Sequence, residues 1–154
     1  MMSKDIKNKV VLITGGASGM GYEIADRFLE KGANKVILVD INEKLGGDAV
    51  NTFSSKYGND KVYFANCDVT SAKTLCKTIT DTFKDVDVLV NNAGIVQDKD
   101  VRRSIDVNVI ALIELSFMFW EHNWMDKFGK GGTITNTASV YAIRSEPISP
   151  VYQA

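Results

Sequence analysis

The segment Thr14-Gly15-Gly16-Ala17-Ser18-Gly19-Met20-Gly21 carries the first chemistry legible in this chain. Glycines permit a tight turn and let backbone N–H groups approach a phosphate at a helix N-terminus. The spacing is not G-x-G-x-x-G, because Ile24 stands at the third place, and with no G-K-[ST] it is no P-loop. Alone, such a turn is also ordinary surface punctuation. Asp40 shifts the balance, because it closes the next apolar run. A carboxylate there can accept hydrogen bonds from both ribose hydroxyls of an adenosine and would repel a 2′-phosphate. Ile41 follows it, and the glycine turn holds no Arg or Lys to pair with an extra phosphate. Taken together, the turn and Asp40 predict dinucleotide binding, with NAD favoured over NADP.

These residues need a scaffold, and the hydrophobic pattern supplies one. Short β-branched runs at Lys9–Ile13, Lys35–Val39, Lys61–Ala65, Asp87–Val90 and Gly131–Thr137 read as strands. Helical spacing fills Gly21–Gly32, Asn42–Tyr57, Ser71–Phe83 and a long stretch from about Asp100 to Phe128. Strands alternating with helices predict an α/β fold, a doubly wound parallel sheet of Rossmann type. The whole chain reads as a single domain, residues 1–154. Tyr141–Ala154 has no clear period, and Pro147 and Pro150 mark a loop. The sheet is therefore expected to be incomplete at its C-terminal side, without the final strands and helices of such a domain.

Composition narrows the function classes. Of 154 residues, 45% are hydrophobic and 24% charged, which is a globular balance. Lys+Arg number 18 against 19 Asp+Glu, so nothing marks a phosphate-neutralising surface and nucleic-acid binding is not expected. The apolar run Val10–Ile13 is too short for a signal peptide or a membrane span. Cys67 and Cys76 form neither a zinc pattern nor a C-x-x-C; they read as buried thiols of a reduced, cytoplasmic protein. His122, the sole histidine, reads as a solvated surface residue, and no metal site is predicted.

Four further segments stand in register after successive strands or inside the long helix. They are Cys67-Asp68-Val69, Asn91-Asn92-Ala93-Gly94, Asp106-Val107-Asn108 and Thr137-Ala138-Ser139. With the glycine turn and Pro150-Val151-Tyr152, the chain resembles the short-chain dehydrogenases/reductases along its whole length. Asn91–Val96, Asp40 and the Pro-Val-Tyr approach are most similar to the NAD-dependent 15-hydroxyprostaglandin dehydrogenase and insect alcohol dehydrogenase group. The resemblance implies a cofactor site of Thr14, Gly15, Gly16, Ser18, Gly19, Met20, Gly21, Asp40, Ile41, Cys67, Asp68, Val69, Asn91, Asn92, Ala93 and Gly94. Asp68 would receive the adenine amino group, though it could equally cap a following helix. Asn91 and Asn92 could tie strands together and touch the ribose, or simply form a turn.

The resemblance also implies Asn108, Ser139 and Tyr152 as catalytic residues. Tyr152 would exchange a proton with the alcohol, Ser139 would polarise the substrate oxygen, and Asn108 would hold a proton-relaying water. A free tyrosine has a pKa near ~10, too high for a base at neutral pH. The family lowers it with a lysine four residues on, and the chain ends at Ala154 before that place. Oxidation of a secondary alcohol is the expected chemistry, and little turnover is expected of the 154 residues alone. A non-catalytic nucleotide-binding or dimerising remnant is the alternative. The apolar helix Val107–Trp120 needs cover on all sides, and the family implies a homodimer through it.

Overall fold

Aliphatic strands without a polar face are stable only when both faces are covered, and the three central strands are so placed. The computed structural model describes residues 5–71, 86–125, 131–144 and 149–153. Five strands, β1 (Val10–Thr14), β2 (Lys35–Asp40), β3 (Val62–Asn66), β4 (Val88–Asn91) and β5 (Thr133–Asn136), form one sheet among these residues. All pair in parallel in the order β3-β2-β1-β4-β5, with Val11 opposite both Val36 and Val88. The order reverses between β1 and β4, which creates a crevice at the carboxyl ends of those strands.

Helices α1 (Gly19–Glu30) and α2 (Glu43–Tyr57) cover one face. Their Ala25, Leu29, Ala49 and Phe53 pack with Val11, Ile13, Val36 and Leu38. The alternate residues Leu12, Ile37, Val39 and Leu89 point the other way and meet Val107, Ala111 and Leu115. That alternation is the period of two of a strand, used on both faces. Asn42 is the N-cap of α2 rather than its first residue, and its side chain accepts from Leu45 N at 3.0 Å.

The long helix differs from the uniform one expected. It consists of α3 (Val101–Ile105), a π-helical turn (Asp106–Ile110), α4 (Ala111–Trp120) and a second π turn (Glu121–Met125). Dihedrals at Asp106, Ala111 and Glu121 stay right-handed helical, so the rod is continuous. Only a stripe of it is covered: Val107, Ala111 and Leu115 are buried, while Ile110, Ile113, Phe117 and Trp120 on other faces are exposed. The fifth strand is shorter than expected, and all four of its residues are exposed.

Two short 3₁₀ turns, Val69–Ser71 and Val140–Ala142, and a final helix α5 (Pro150–Gln153) complete the elements. Of the helix expected over Ser71–Phe83 only Ser71 lies among the described residues, and Cys76, Phe128 and Pro147 lie outside them. His122 is half-buried rather than solvated. Among the described residues no helix is long and apolar enough to cross a membrane.

Candidate active site

Backbone geometry shapes the turn after β1. Gly15 (φ +64°) donates its N–H to Val39 O at 2.8 Å. Thr14 is buried, and its hydroxyl accepts from Asn92 N and Ala93 N, both at 3.0 Å. The Asn92 amide in return donates to Thr14 O at 3.0 Å and Gly15 O at 3.2 Å. The turn is thus stitched to the end of β4. A Cβ on Gly21 would overlap the carbonyl oxygen of Gly15, so α1 can approach the turn only through a glycine. Gly19 (φ +54°) has open space around its Cβ position.

Ser18 begins α1 without a side-chain capping bond, and the first turn carries no acid. Its leading N–H groups and positive dipole end therefore remain available to an anion. Across the cleft, Asp40 is pinned by two backbone donors. Ala17 N reaches Oδ2 at 3.2 Å and Asn42 N reaches Oδ1 at 3.0 Å. A carboxylate offers about four acceptor positions, so two stay free for hydroxyl groups.

At the end of β3, Asp68 Oδ1 accepts from Thr70 N at 3.0 Å and Thr70 Oγ1 at 2.8 Å. Its Oδ2 takes a hydrogen bond from Arg103 Nη2 at 2.7 Å, and Arg103 Nη1 donates to Thr70 Oγ1 at 3.2 Å. Burial disfavours the Asp68 carboxylate, but the Arg103 and Thr70 bonds outweigh it and hold the carboxyl below its ordinary range. Cys67 is half-buried, not buried as expected, and lies at the cleft wall. Burial, aided by the Asp68 charge, pushes its thiol upward, which lowers its thiolate fraction.

Asn91 and Asn92 divide their work. Asn91 is buried, and its amide donates to Ser116 Oγ and Asn136 Oδ1, both at 2.9 Å, which ties β4 to β5 and to α4. Asn92 faces the cleft. The amide oxygens of both are buried without a partner among the described residues, which is where an ordered water or ligand hydroxyl belongs. Asn108 sits in the first π turn, and its side chain grips Ile95 twice. Its Nδ2 donates to Ile95 O at 2.8 Å and its Oδ1 accepts from Ile95 N at 2.9 Å. That clasp uses one amide hydrogen and one lone pair of the side chain, and through it Asn108 positions the loop after Gly94.

Ser139 follows β5, and its Oγ accepts from Tyr141 N at 3.2 Å. The Tyr141 ring meets that of Tyr152 edge-on at 5.9 Å, and Val151 N donates to Asp98 Oδ1 at 2.9 Å. Ser139 and Tyr152 thus flank the same tyrosine, and no hydrogen bond described joins either one to Asn108.

These ends enclose an open cleft of about 320 Å³, at the lower end of the usual range for a small-molecule site. Gly15, Ser18, Met20, Asp40, Ile41, Cys67, Asp68, Val69, Asn92, Ala93 and Gly94 line it, as the sequence leads one to expect. Thr14, Gly16, Gly19, Gly21 and Asn91 do not. Thr14 and Asn91 turn inward, a Cβ on Gly16 would meet Leu38, and Gly21 packs on Gly15. Ile95, Arg103 and Val107 line the cleft without having been expected there. Arg103 looks like any exposed helical arginine in sequence; only its three-dimensional pairing with Asp68 reveals it. The donor set fits a dinucleotide: free helix N–H groups for a pyrophosphate, a carboxylate for ribose hydroxyls and small residues where the backbone must come close.

Comparison with known proteins agrees with this arrangement. The sequence pattern of the short chain dehydrogenases matches residues 9–154. The chain belongs to the short-chain dehydrogenase family. It is 33% identical over 152 residues to 15-hydroxyprostaglandin dehydrogenase [NAD(+)] of Macaca fascicularis, covering 97% of this chain and 57% of the relative. Alcohol dehydrogenase 1 of Ceratitis cosyra is 30% identical, with 97% of this chain and 58% of that protein covered. The chain therefore spans somewhat more than half the length of these relatives. Among solved members, L-sorbose reductase from Gluconobacter frateurii, complexed with NADPH and L-sorbose, superposes with a TM-score of 0.87 at 28% identity. That match covers 99% of this chain and 60% of the reductase. NAD+-bound xylitol dehydrogenase gives 0.85 at 25% identity, covering 97% and 60%.

Proposed function

We propose that this chain supplies the NAD site and the first catalytic groups of a short-chain dehydrogenase that oxidises a secondary alcohol to a ketone. The observation that carries the reading is Asp40. Its carboxylate is fixed by Ala17 N and Asn42 N opposite the uncapped start of α1, where it favours a ribose diol and repels a 2′-phosphate. Bound NAD would supply the hydride acceptor. Asp40 and Asp68 would hold the adenosine half, and the first N–H groups of α1 the pyrophosphate. Ala93 and Gly94 would let the nicotinamide half lie close to β4. Tyr152 would take the alcohol proton, and Ser139 would hold the substrate oxygen. Asn108 would keep the loop after Gly94 in place through Ile95. A hydroxy fatty acid, prostaglandin-like lipid or small secondary alcohol is the substrate class, in keeping with the names of the relatives.

A second reading keeps nucleotide binding without turnover, with the chain pairing through the rod. The exposed Ile113, Phe117 and Trp120 favour association, with a second copy as the partner. NADH formation from a panel of secondary alcohols and hydroxy fatty acids separates the two. The 154-residue chain is to be compared with a chimera that adds the remaining portion of a longer relative, which brings a lysine beyond the tyrosine. Turnover by the chimera that Tyr152→Phe abolishes supports the dehydrogenase; binding without turnover in both supports the second reading. Full turnover in Tyr152→Phe would remove the proposed acid/base.

A further inference from the structure

The polar wall at the end of β3 is built from two distant segments. Asp68 follows β3, and Arg103 comes from α3, on the same rod as Asn108. Arg103, Asp68 and Thr70 close a ring of hydrogen bonds: Arg103 Nη2 to Asp68 Oδ2, Arg103 Nη1 to Thr70 Oγ1, and Thr70 Oγ1 to Asp68 Oδ1. Thr70 N adds a second bond to Oδ1. Of the carboxylate's roughly four acceptor positions, three are then spent. The free one is on Oδ2, the oxygen whose direction Arg103 sets. Both side chains remain about one-third exposed, at 35% and 36%, and both line the cleft.

We infer that Arg103 is a positioning residue for base recognition: it aims the single free acceptor of Asp68 at the 6-position of the cofactor's purine. The inference rests on the dinucleotide reading above. An exocyclic amino group brings a hydrogen to that acceptor, whereas a 6-oxo group brings a lone pair against it, so the cleft selects adenine over hypoxanthine. Lysine cannot replace the arginine in full. Its ammonium is a compact charge without the planar fork that bonds Asp68 and Thr70 together.

Calorimetric titration of the 154-residue chain with NAD+ and with nicotinamide hypoxanthine dinucleotide tests this. The wild-type chain is expected to prefer NAD+ by about tenfold, the size of one charge-assisted hydrogen bond. In Arg103→Met that preference falls to near unity, because Oδ2 loses the donor that sets its direction while the Thr70 bonds hold only Oδ1, and Arg103→Lys lies between. A merely structural role would weaken both dinucleotides by the same factor and leave their ratio intact; that result overturns the inference. So does a wild-type chain that binds both dinucleotides equally. A wild-type chain that binds neither dinucleotide overturns the NAD reading itself, and this inference with it. Thermal melting of each variant shows whether the fold survives.

Discussion

On the β3-β2-β1 side, α1 and α2 bury Phe53, Ile13 and Leu38 almost completely, and the strand ends carry the cleft. On the β4-β5 side, every residue of β5 is exposed, and Phe117 stands 61% exposed beside Trp120 and Ile134. Leu112, Ile113, Phe117, Trp120 and Ile134 line a second, shallow and mostly apolar groove there. The ligand-facing groups of the first region are held by bonds that reach to the end of β4 and to Arg103 of α3, away from the groove. Among the described residues the second presents an open strand edge and an apolar helix face, features that proteins cover. Nucleotide recognition is thus assigned to the first flank and the exposed apolar surface to the second, and substitutions should separate them.

The largest expected effect is at Gly21. Gly21→Ala forces a methyl group against Gly15 O and within 2.7 Å of Asn92 Nδ2, at the junction of β1, α1 and β4. Destabilisation of about 3 kcal/mol and loss of measurable NAD binding are expected, by urea unfolding and calorimetry. The contrast with Gly19 sharpens this. Gly19→Ala meets no atom and costs only left-handed strain, about 1 kcal/mol.

Next comes Asp40→Ala. NAD affinity should fall about tenfold, and the preference over NADP should vanish, with unfolding little changed. Retained discrimination in parallel titrations would mean that another group reads the ribose.

The apolar flank should behave in the opposite way. Phe117→Ser with Trp120→Ser should suppress self-association, seen by sedimentation, and leave NAD affinity within about twofold. A large loss of affinity in that variant would break the division between the flanks.

The smallest effect concerns acid. The Asp68 carboxyl is held below its ordinary value of ~3.9, so the folded chain binds fewer protons there than the unfolded chain does. Its stabilisation is present above about pH 4 and is lost as pH falls through the folded value. With both partners a third exposed, no more than about 1 kcal/mol is at stake. The stability gap between wild type and Arg103→Met, followed by denaturant titration, should shrink below about pH 4.

What was legible in the sequence follows the same division. Strand runs such as Val10–Ile13 and Lys35–Val39 and the glycine turn are local signals, and they located the sheet and most of the cleft. The π turn around Asn108 left no local mark, because the apolar run through it satisfies an ordinary helical period. Thr14 reads as a ligand-facing residue but turns inward, because its hydroxyl takes the N–H groups of Asn92 and Ala93; Asn91, read both as a strand tie and as a ribose contact, makes the tie to Asn136. Arg103 shares its surroundings in sequence with Arg102, and only the fold distinguishes them. Contacts between segments far apart in the chain are what a one-dimensional pattern leaves out.

The division between the flanks is tested most directly by amide NMR of the isotope-labelled chain titrated with NAD+. Saturable shifts are expected at residues 15–21, 40–42, 67–70 and 92–95, with the groove at residues 112–120 and 134–136 unmoved. Absence of saturable shifts, or shifts centred on that groove, would contradict the assignment of nucleotide binding to the β1–α1 turn and Asp40.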